Sequence, residues 1–299
     1  MIKFGDKSAE VAEVQKLLSL LGYDLIVDSS FGPKTLRSIK AFQKKYGIPQ
    51  DGIVNDKTLT TLKAAQKKTS KEDLTQLQAI NYNGLEIRTD CQMPENQYVK
   101  QITSKSQIFI HFTAGRPSAE GTINGWNSDE PRVATAYVID GNTGTIVQAF
   151  NPDYWGFHLG IKGTNGKLDR ISIGIEICAF GPLIKRGNDF FAWPNDYTTK
   201  VDTKNVYILD QPFRGYKYYF NYTDEQLKNL ESLLRFLIKK YSIKVQKNFD
   251  KSWLEYNQDV INKSLPGIWS HSTVRKDKFD TYPDTRLFEI LNRISKEFN

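Results

Sequence analysis

Cysteine and histidine are scarce in this chain, and the scarcity narrows the chemistry open to it. Only two cysteines occur, Cys91 and Cys178. That number excludes a disulfide framework and a four-cysteine zinc site. No uninterrupted apolar run reaches the roughly 18 residues that would suggest a membrane span, so membrane insertion is not expected. The start, MIKFGDKSAEVAEV, lacks an apolar segment between a basic end and a cleavage site. No signal peptide is expected, and the product is read as made in the cytoplasm, needing another system to carry it outside. There is no His-Glu-x-x-His helix of a zinc peptidase and no recognition-helix, zinc-finger or RNA-binding motif. Nucleic acid is therefore not an expected partner. The net charge of +7 suits an anionic wall or membrane surface equally well on charge alone.

What is present describes a globular protein. Hydrophobic residues make up 39% of the chain and charged ones 25%, a balance that supports a packed core. A length of 299 residues allows two domains. The 15 Tyr and 17 Phe suit a ring-lined groove as well as a core.

The first seventy residues read as three helices. Ser8 can cap a helix whose apolar face is Val11, Val14, Leu17, Leu18 and Leu21, with Gly22 placed to stop it. A second helix follows Pro33, with Leu36, Ile39, Phe42 and Tyr46 inward. A third runs from Asp56 to about Lys67 and turns Leu59 and Leu62 inward. Within this region DSSFGPKTL, Asp28 to Leu36, is echoed 23 residues later by DGIVNDKTL, Asp51 to Leu59. Each copy is an aspartate-led turn, one apolar anchor (Phe31 or Val54) and a helix start. On these residues the segment, about 3–66, resembles the small peptidoglycan-binding domain found at the ends of many wall hydrolases. The runs that carry the resemblance are V-x-x-V-Q-K-L-L-x-x-L-G-Y, F-G-x-x-T, A-F-Q-K-K-Y-G-I and D-G-I-V-x-x-x-T-x-x-x-L. Binding of wall glycan or stem peptide is what it implies. Residues 1–68 hold 12 basic and 7 acidic side chains, +5 of the chain's +7, in keeping with docking on an anionic wall. The boundaries expected are a three-helix domain over 1–68, a polar linker over 69–79 and a second domain over 80–299.

From about Ile80 the pattern becomes mixed. Ile108, Phe109 and Ile110 form a short strand-forming run that ends at His111, with Thr113, Ala114 and Gly115 turning away. RVATAYVID, 132–140, meets TIVQAF through Gly141, Asn142, Thr143 and Gly144, a hairpin signal. RISIGIEIC, 170–178, is the cleanest strand: Ile171, Ile173, Ile175 and Ile177 share one face, and Ser172, Gly174, Glu176 and Cys178 the other. Gly174 removes bulk beside Glu176, as a close substrate or neighbouring strand requires. A glutamate amid isoleucines is either salt-bridged at an edge or buried with a raised pKa that suits proton transfer. Residues 182–222, rich in aromatics, proline and glycine, read as a long ordered excursion over one side of the sheet, a candidate cleft wall. Thr223 and Gln226 form a capping box for a helix buried through Leu227, Leu230, Leu233 or Leu234, and Leu237. Further helices are expected over roughly 250–262 and 284–296.

Only three histidines exist: His111, His158 in WGFHLG, and His271 in GIWSHSTVRKDKFD. Two histidines and a carboxylate, with one position left open, meet the needs of a catalytic zinc site. His111 and His271 are 160 residues apart, so only the fold can join them. The runs IFIHFTAG, ATAYVID, GTIV, WGFHLG, ISIGIEI, Y-T-D-E-Q-L and HSTVRKDKFD together resemble the zinc-dependent N-acetylmuramoyl-L-alanine amidases, which include phage endolysins and relatives of peptidoglycan-recognition proteins. The resemblance spans about 80–295. It implies an α/β domain with a mixed central sheet flanked by helices, beside the small three-helix N-terminal domain. It also implies one zinc ion on His111, His271 and Asp280, with Glu176 as general base toward zinc-activated water and Lys278 steadying the oxyanion. If Lys278 and Asp280 are extended, alternation puts both on one face.

Some assignments stay open at this level. Asp277 is a rival third ligand without the family's spacing. His158, with Trp155 near it, is placed beside the substrate, or else is a hydrogen-bonded structural histidine. Tyr137 lines the cleft or belongs to the core, and Cys178 reads as a small buried filler. Two departures from the family stand out: Ser270 precedes the second histidine where many members have glycine, and Asp280 is followed by Thr281, Tyr282 and Pro283 rather than directly by Pro-Gly. Altered loop geometry with retained chemistry is the expectation. The expected partner is bacterial peptidoglycan, acted on by a monomer as the default state. A phage lysis enzyme released by a holin fits these parts. So do a bacterial autolysin or injected effector with the same chemistry, and a non-catalytic recognition protein of the same fold.

Overall fold

The computed structural model describes residues 1–21, 23, 28–65, 85–126, 133–192 and 199–299. The expected helix stop at Gly22, the expected end of the third helix near Lys67 and the linker over 69–79 lie outside the described residues. The chain divides into two compact units, Met1–Ala79 and Ile80–Asn299.

In the first unit α1 (Ala9–Leu20), α2 (Pro33–Lys45) and α3 (56–65) enclose a small core. Val11, Val14, Leu18, Ile39, Phe42 and Leu62 are buried there, because spacings of three and four residues put them on inward stripes. Ser8 accepts from the Val11 amide, so α1 starts where its cap dictates. Tyr46 departs from expectation: it lies on the Phe42 ring and stays 37% exposed. The repeat has a polar spine. Gln15 donates to Asp28, Ser30 O and Thr35, and accepts from the amides of Asp28 and Ser29. Gln43 does the same one repeat later, donating to Asp51, Ile53 O and Thr58 and accepting from the Gly52 amide. Each buried glutamine thus closes the turn that follows it, while Phe31 and Val54 fill the core beneath.

The second unit is built on a mixed sheet of β1 (Ile87–Arg88), β2 (Gln107–Phe112), β3 (Tyr137–Ile139), β4 (Ile146–Gln148), β5 (Ser172–Ile177) and β11 (Gly267–Ser270), in the order β1-β4-β3-β5-β2-β11. β3, β5, β2 and β11 run parallel, and β4 returns antiparallel to β3 through the Gly141–Gly144 turn. Every residue of β2 and β5 is buried, as suits central strands covered on both faces. Among the helices, α4 (Ala119–Trp126) precedes β3, and the short α5 (Lys167–Ile171) leads into β5. Ile171 therefore ends a helix rather than opening the strand. α6 (Asp224–Tyr241) begins with the expected Thr223–Gln226 capping box. Its Leu230, Leu233, Leu234 and Leu237 are fully buried, each contributing about 1.5–3 kcal/mol on burial. α9 (Thr285–Phe298) lies along α6, tied to it by Arg293–Glu231 and Arg235–Glu297 ion pairs.

Two further expectations are sharpened or corrected. The ordered excursion expected over 182–222 is built of strands. β6 (Pro182–Arg186), β7 (Asp189–Ala192), β8 (Lys200–Val201), β9 (Val206–Phe213) and β10 (Tyr216–Phe220) form a second, antiparallel sheet ordered β8-β7-β6-β10-β9. The helix expected over 250–262 is split. Asp250 caps a 3-10 turn at Lys251–Leu254, and Asn257 caps a separate α7 (Gln258–Lys263), each side chain offering the backbone an alternative to a continuous helix.

Candidate active site

Strand register brings the distant histidines together. β2 and β11 are parallel with Ile110 opposite Ser270, so the residues that follow them, His111 on β2 and His271 just past the end of β11, come side by side. On the other side of β2, His111 is opposite Glu176 of β5. All three project from the carboxyl ends of parallel strands, where α/β sheets open their crevices. Asp280 returns to this point after α8 (His271–Val274), and Ser270 holds it there. The Ser270 hydroxyl donates to the Asp280 carbonyl oxygen (2.8 Å) and accepts from the Thr281 amide (3.0 Å).

The side chains converge tightly. His111 Nδ1 and His271 Nδ1 are 3.1 Å apart, and Asp280 Oδ2 is 3.1 and 3.0 Å from them. All three residues are buried, and their ligand atoms form a group that could hold a metal ion. The outer ring nitrogens decide which atoms carry lone pairs. His271 Nε2 is 2.9 Å from the Leu159 carbonyl oxygen, which only accepts; Nε2 therefore carries a proton, and Nδ1 is the atom turned toward the group. His111 is set by a longer chain. Ser172 donates its hydroxyl to the Asp169 carbonyl (3.5 Å) and accepts from His158 Nε2 (2.8 Å), which leaves His158 Nδ1 to accept from His111 Nε2 at 3.0 Å. His111 Nδ1 is then the lone-pair atom. Burial pushes His111 down to about 4 and His158 well below the ordinary imidazole value, so both rings are neutral.

Glu176 stands beside this group with Oε2 buried and unpartnered. Burial and the neighbouring Asp280 charge raise its pKa well above the ordinary carboxylate range, while half-buried Lys278 pulls the other way.

Residues 103–283 match the family model described as N-acetylmuramoyl-L-alanine amidase. The chain belongs to this family. Residues 7–62 match the model of a peptidoglycan binding domain. The protein is thus a peptidoglycan amidase carrying a peptidoglycan-binding domain. Among solved structures it is similar to PlyL, at 15% identity over 72% of this chain and 99% of that one, with a TM-score of 0.40. It is also similar to the amidase LysC of Clostridium intestinale, at 14% identity over 71% and 97%, TM-score 0.38. A peptidoglycan-binding protein of Clostridioides difficile shares 46% identity over 20% of this chain and 39% of its own, TM-score 0.20. Comparison with curated proteins gives no match.

In the amidase the other expected site residues fall as follows. Tyr137 is fully buried, with its hydroxyl on Gln148, so it is a core residue and offers no surface to substrate. Trp155 is also buried, bonded to Gln101 and packed between Phe157 and the Arg170 guanidinium. His158 lies behind His111 rather than on an open wall, with its backbone and that of Leu159 anchored on Asp169. Tyr137 and Trp155 thus belong to the core, and His158 takes the hydrogen-bonded position behind His111. Asp277 is taken up by Arg275 in a two-bond ion pair. Cys178 is fully buried. Gly174 leaves room for Thr135 and then His158: a Cβ there would sit 2.7 Å from Thr135 Cγ2 and 3.1 Å from His158 Cγ. Ser172, Ser270 and the Leu159 carbonyl were not foreseen. Ser172 had a signal, since it shares the strand face of Glu176 and Gly174.

Proposed function

We propose that the protein hydrolyses the amide bond between N-acetylmuramic acid and the L-alanine of the stem peptide, using one zinc ion held by His111, His271 and Asp280. The observation that carries the reading is the convergence of two imidazole Nδ1 atoms and one carboxylate oxygen within 3.0–3.1 Å of one another. The donor set fits: around a tetrahedral zinc at about 2.0–2.1 Å, ligand atoms are separated by about 3.3 Å. The outer ring nitrogens are taken up by the Leu159 carbonyl and by His158, so each imidazole turns Nδ1 toward the group. When bound, zinc supplies Lewis acidity to water and to the scissile carbonyl.

The chain's own groups do the rest. Glu176 accepts a proton from the attacking water through a carboxylate oxygen left free of other partners. It returns that proton to the nitrogen as the carbon–nitrogen bond breaks and the amine leaves. Its raised pKa brings it closer to the range in which a base of this kind is effective. Lys278 steadies negative charge on the carbonyl oxygen as water adds. Retention of His111, His271, Asp280 and Glu176 together favours an enzyme over a non-catalytic recognition protein. A wall-binding unit with a basic excess, joined to an amidase, suits a lysis enzyme of the endolysin kind. Metal analysis tests the ligand set. The purified protein should hold one zinc per chain, lost on Asp280→Ala, and wild-type stoichiometry in that variant would overturn the assignment.

A further inference from the structure

The loop that carries Lys278 and Asp280 is gripped from the second sheet. β9 and β10 meet in a two-residue turn, Arg214-Gly215, with Phe213 paired to Tyr216. Below the tip the pairing shifts, Lys217 alone standing against Leu209–Pro212, an irregularity of the kind that re-aims a hairpin. The Tyr219 hydroxyl secures the root of the tip by donating to the Phe213 carbonyl oxygen (3.0 Å). The Arg214 guanidinium reaches across to the loop. It donates from Nη1 to the Lys276 carbonyl oxygen and from Nη2 to that of Leu254, 3.5 Å away. The Leu254 oxygen also accepts from the hydroxyl of Ser272, the neighbour of His271. On the other side of the turn, Tyr216 meets the Phe279 ring with centroids 6.0 Å apart, and Phe279 meets Phe112, the residue after His111, at 5.9 Å. Phe279 stands between Lys278 and Asp280, so seating its ring helps to fix the side chains on either side of it. Lys278 is close enough to the site for its charge to bear on both His111 and Glu176.

Residue 214 is an unfavourable choice for the turn itself. Arg214 has φ +50° and Gly215 φ +87°, and a hairpin turn with positive φ at both central residues favours asparagine or glycine at the first. An arginine held there is strained. Among the described residues Arg214 makes no ion pair. Its planar fork instead spans two backbone carbonyls on the segments that lead to and from the site, which a turn-forming asparagine or glycine could not do. We propose that Arg214 is a positioning residue for the amidase reaction, holding the 275–279 loop so that Lys278 reaches the carbonyl oxygen of the bond to be cut. The proposal rests on the reading above, in which Lys278 steadies that oxygen, and brings the second sheet into the reaction through its tip. Asp280 has its own support in Ser270, so loss of the guanidinium falls on Lys278 and leaves the metal group in place.

Arg214→Asn tests this in the full-length, zinc-loaded protein, because Asn-Gly is a preferred sequence for the turn: the hairpin is kept and the guanidinium is lost. On a soluble muramoyl peptide the variant should lose about tenfold in kcat with KM within about twofold of wild type. Arg214→Lys keeps the charge and can reach one carbonyl, so it should recover part of the rate. In the Lys278→Ala protein, where the positioned group is gone, adding Arg214→Asn should change kcat by less than about twofold. A second readout needs no turnover: amide hydrogen exchange over 275–279 should be about tenfold faster in Arg214→Asn than in wild type, with zinc content unchanged. A kcat within about twofold of wild type, unaltered exchange, or a tenfold loss that persists in the Lys278→Ala background would overturn the assignment. If the wild-type protein itself releases no stem peptide, the amidase reading fails, and the exchange rates still decide whether Arg214 holds the loop.

Discussion

Replacing His158 by phenylalanine tests how far metal binding depends on the ring behind the ligand. His111 Nε2–H is directed at His158 Nδ1 across 3.0 Å, and both rings are buried, at 2% and 7% exposure, so water cannot stand in for the lost acceptor. A buried donor left unpaired costs about 1–3 kcal/mol. Loss of a partner that orients a metal-ligating histidine costs about 10–100-fold in metal affinity. The two figures agree, since that range corresponds to about 1.4–2.7 kcal/mol. Ser172→Ala should act in the same direction. Without the Ser172 oxygen 2.8 Å from His158 Nε2, the His158 proton can move to Nδ1 and drive the His111 proton onto the ligand atom. His158→Gln keeps a carbonyl oxygen as acceptor and should recover part of the affinity. Competition against a chromophoric zinc chelator reads the dissociation constant, with thermal melts confirming the fold. A folded His158→Phe protein that binds zinc within twofold of wild type would refute the reasoning.

Three further substitutions probe other contacts. Glu176→Gln should lower kcat by about 10²–10⁴-fold while retaining zinc. In the metal-stripped protein the folded Glu176 pKa lies above its ordinary 4.5, so the native state binds the extra proton and stability falls as pH rises from 4.5 through the folded value; the glutamine variant should therefore melt higher than wild type at pH 8 and converge with it near pH 4, and the reverse order would count against the assignment. Ser270→Ala removes the hydroxyl that bonds both sides of the Asp280–Thr281 peptide, and zinc retention after dialysis should drop about tenfold, whereas full retention would show that Asp280 is placed by other means. Gln43→Leu strips partners from Asp51, Ile53 O and the Gly52 amide and should destabilise the N-terminal unit by about 2–4 kcal/mol in urea unfolding, with wall binding weakened and cleavage of a soluble muramoyl peptide kept.

Local periodicity made much of this architecture legible. Alternation in 171–177 marked β5 and grouped Ser172, Gly174 and Glu176 on what is the face of the site. The Thr223–Gln226 box marked the start of α6, and the echo of Asp28–Leu36 in Asp51–Leu59 marked the two turns that Gln15 and Gln43 organise. The candidate site residues were legible through resemblance, because register alone joins His111 to His271 across 160 positions. What escaped reading depends on contacts between distant segments. Nothing local says that His158 faces His111, 47 residues away, instead of solvent. The second sheet was hidden because its strands carry charges beside aromatics, such as Lys185 and Arg186 paired against Phe190 and Asp189, and so resemble loops in composition. The two unusual features around the third ligand, Ser270 and the Thr281-Tyr282 sequence, are parts of one device: the Ser270 hydroxyl grips the peptide that links Asp280 to Thr281, and Tyr282 stacks between Tyr219 and Tyr222 at 4.6 Å from each.

Mass analysis of purified peptidoglycan digested by metal-stripped protein, and by the same sample after zinc is restored, tests the central claim most directly. The account predicts free stem peptides with intact glycan strands from the zinc-restored sample and no cleavage from the stripped one. New reducing sugars, or the same release of stem peptides with and without zinc, would contradict it.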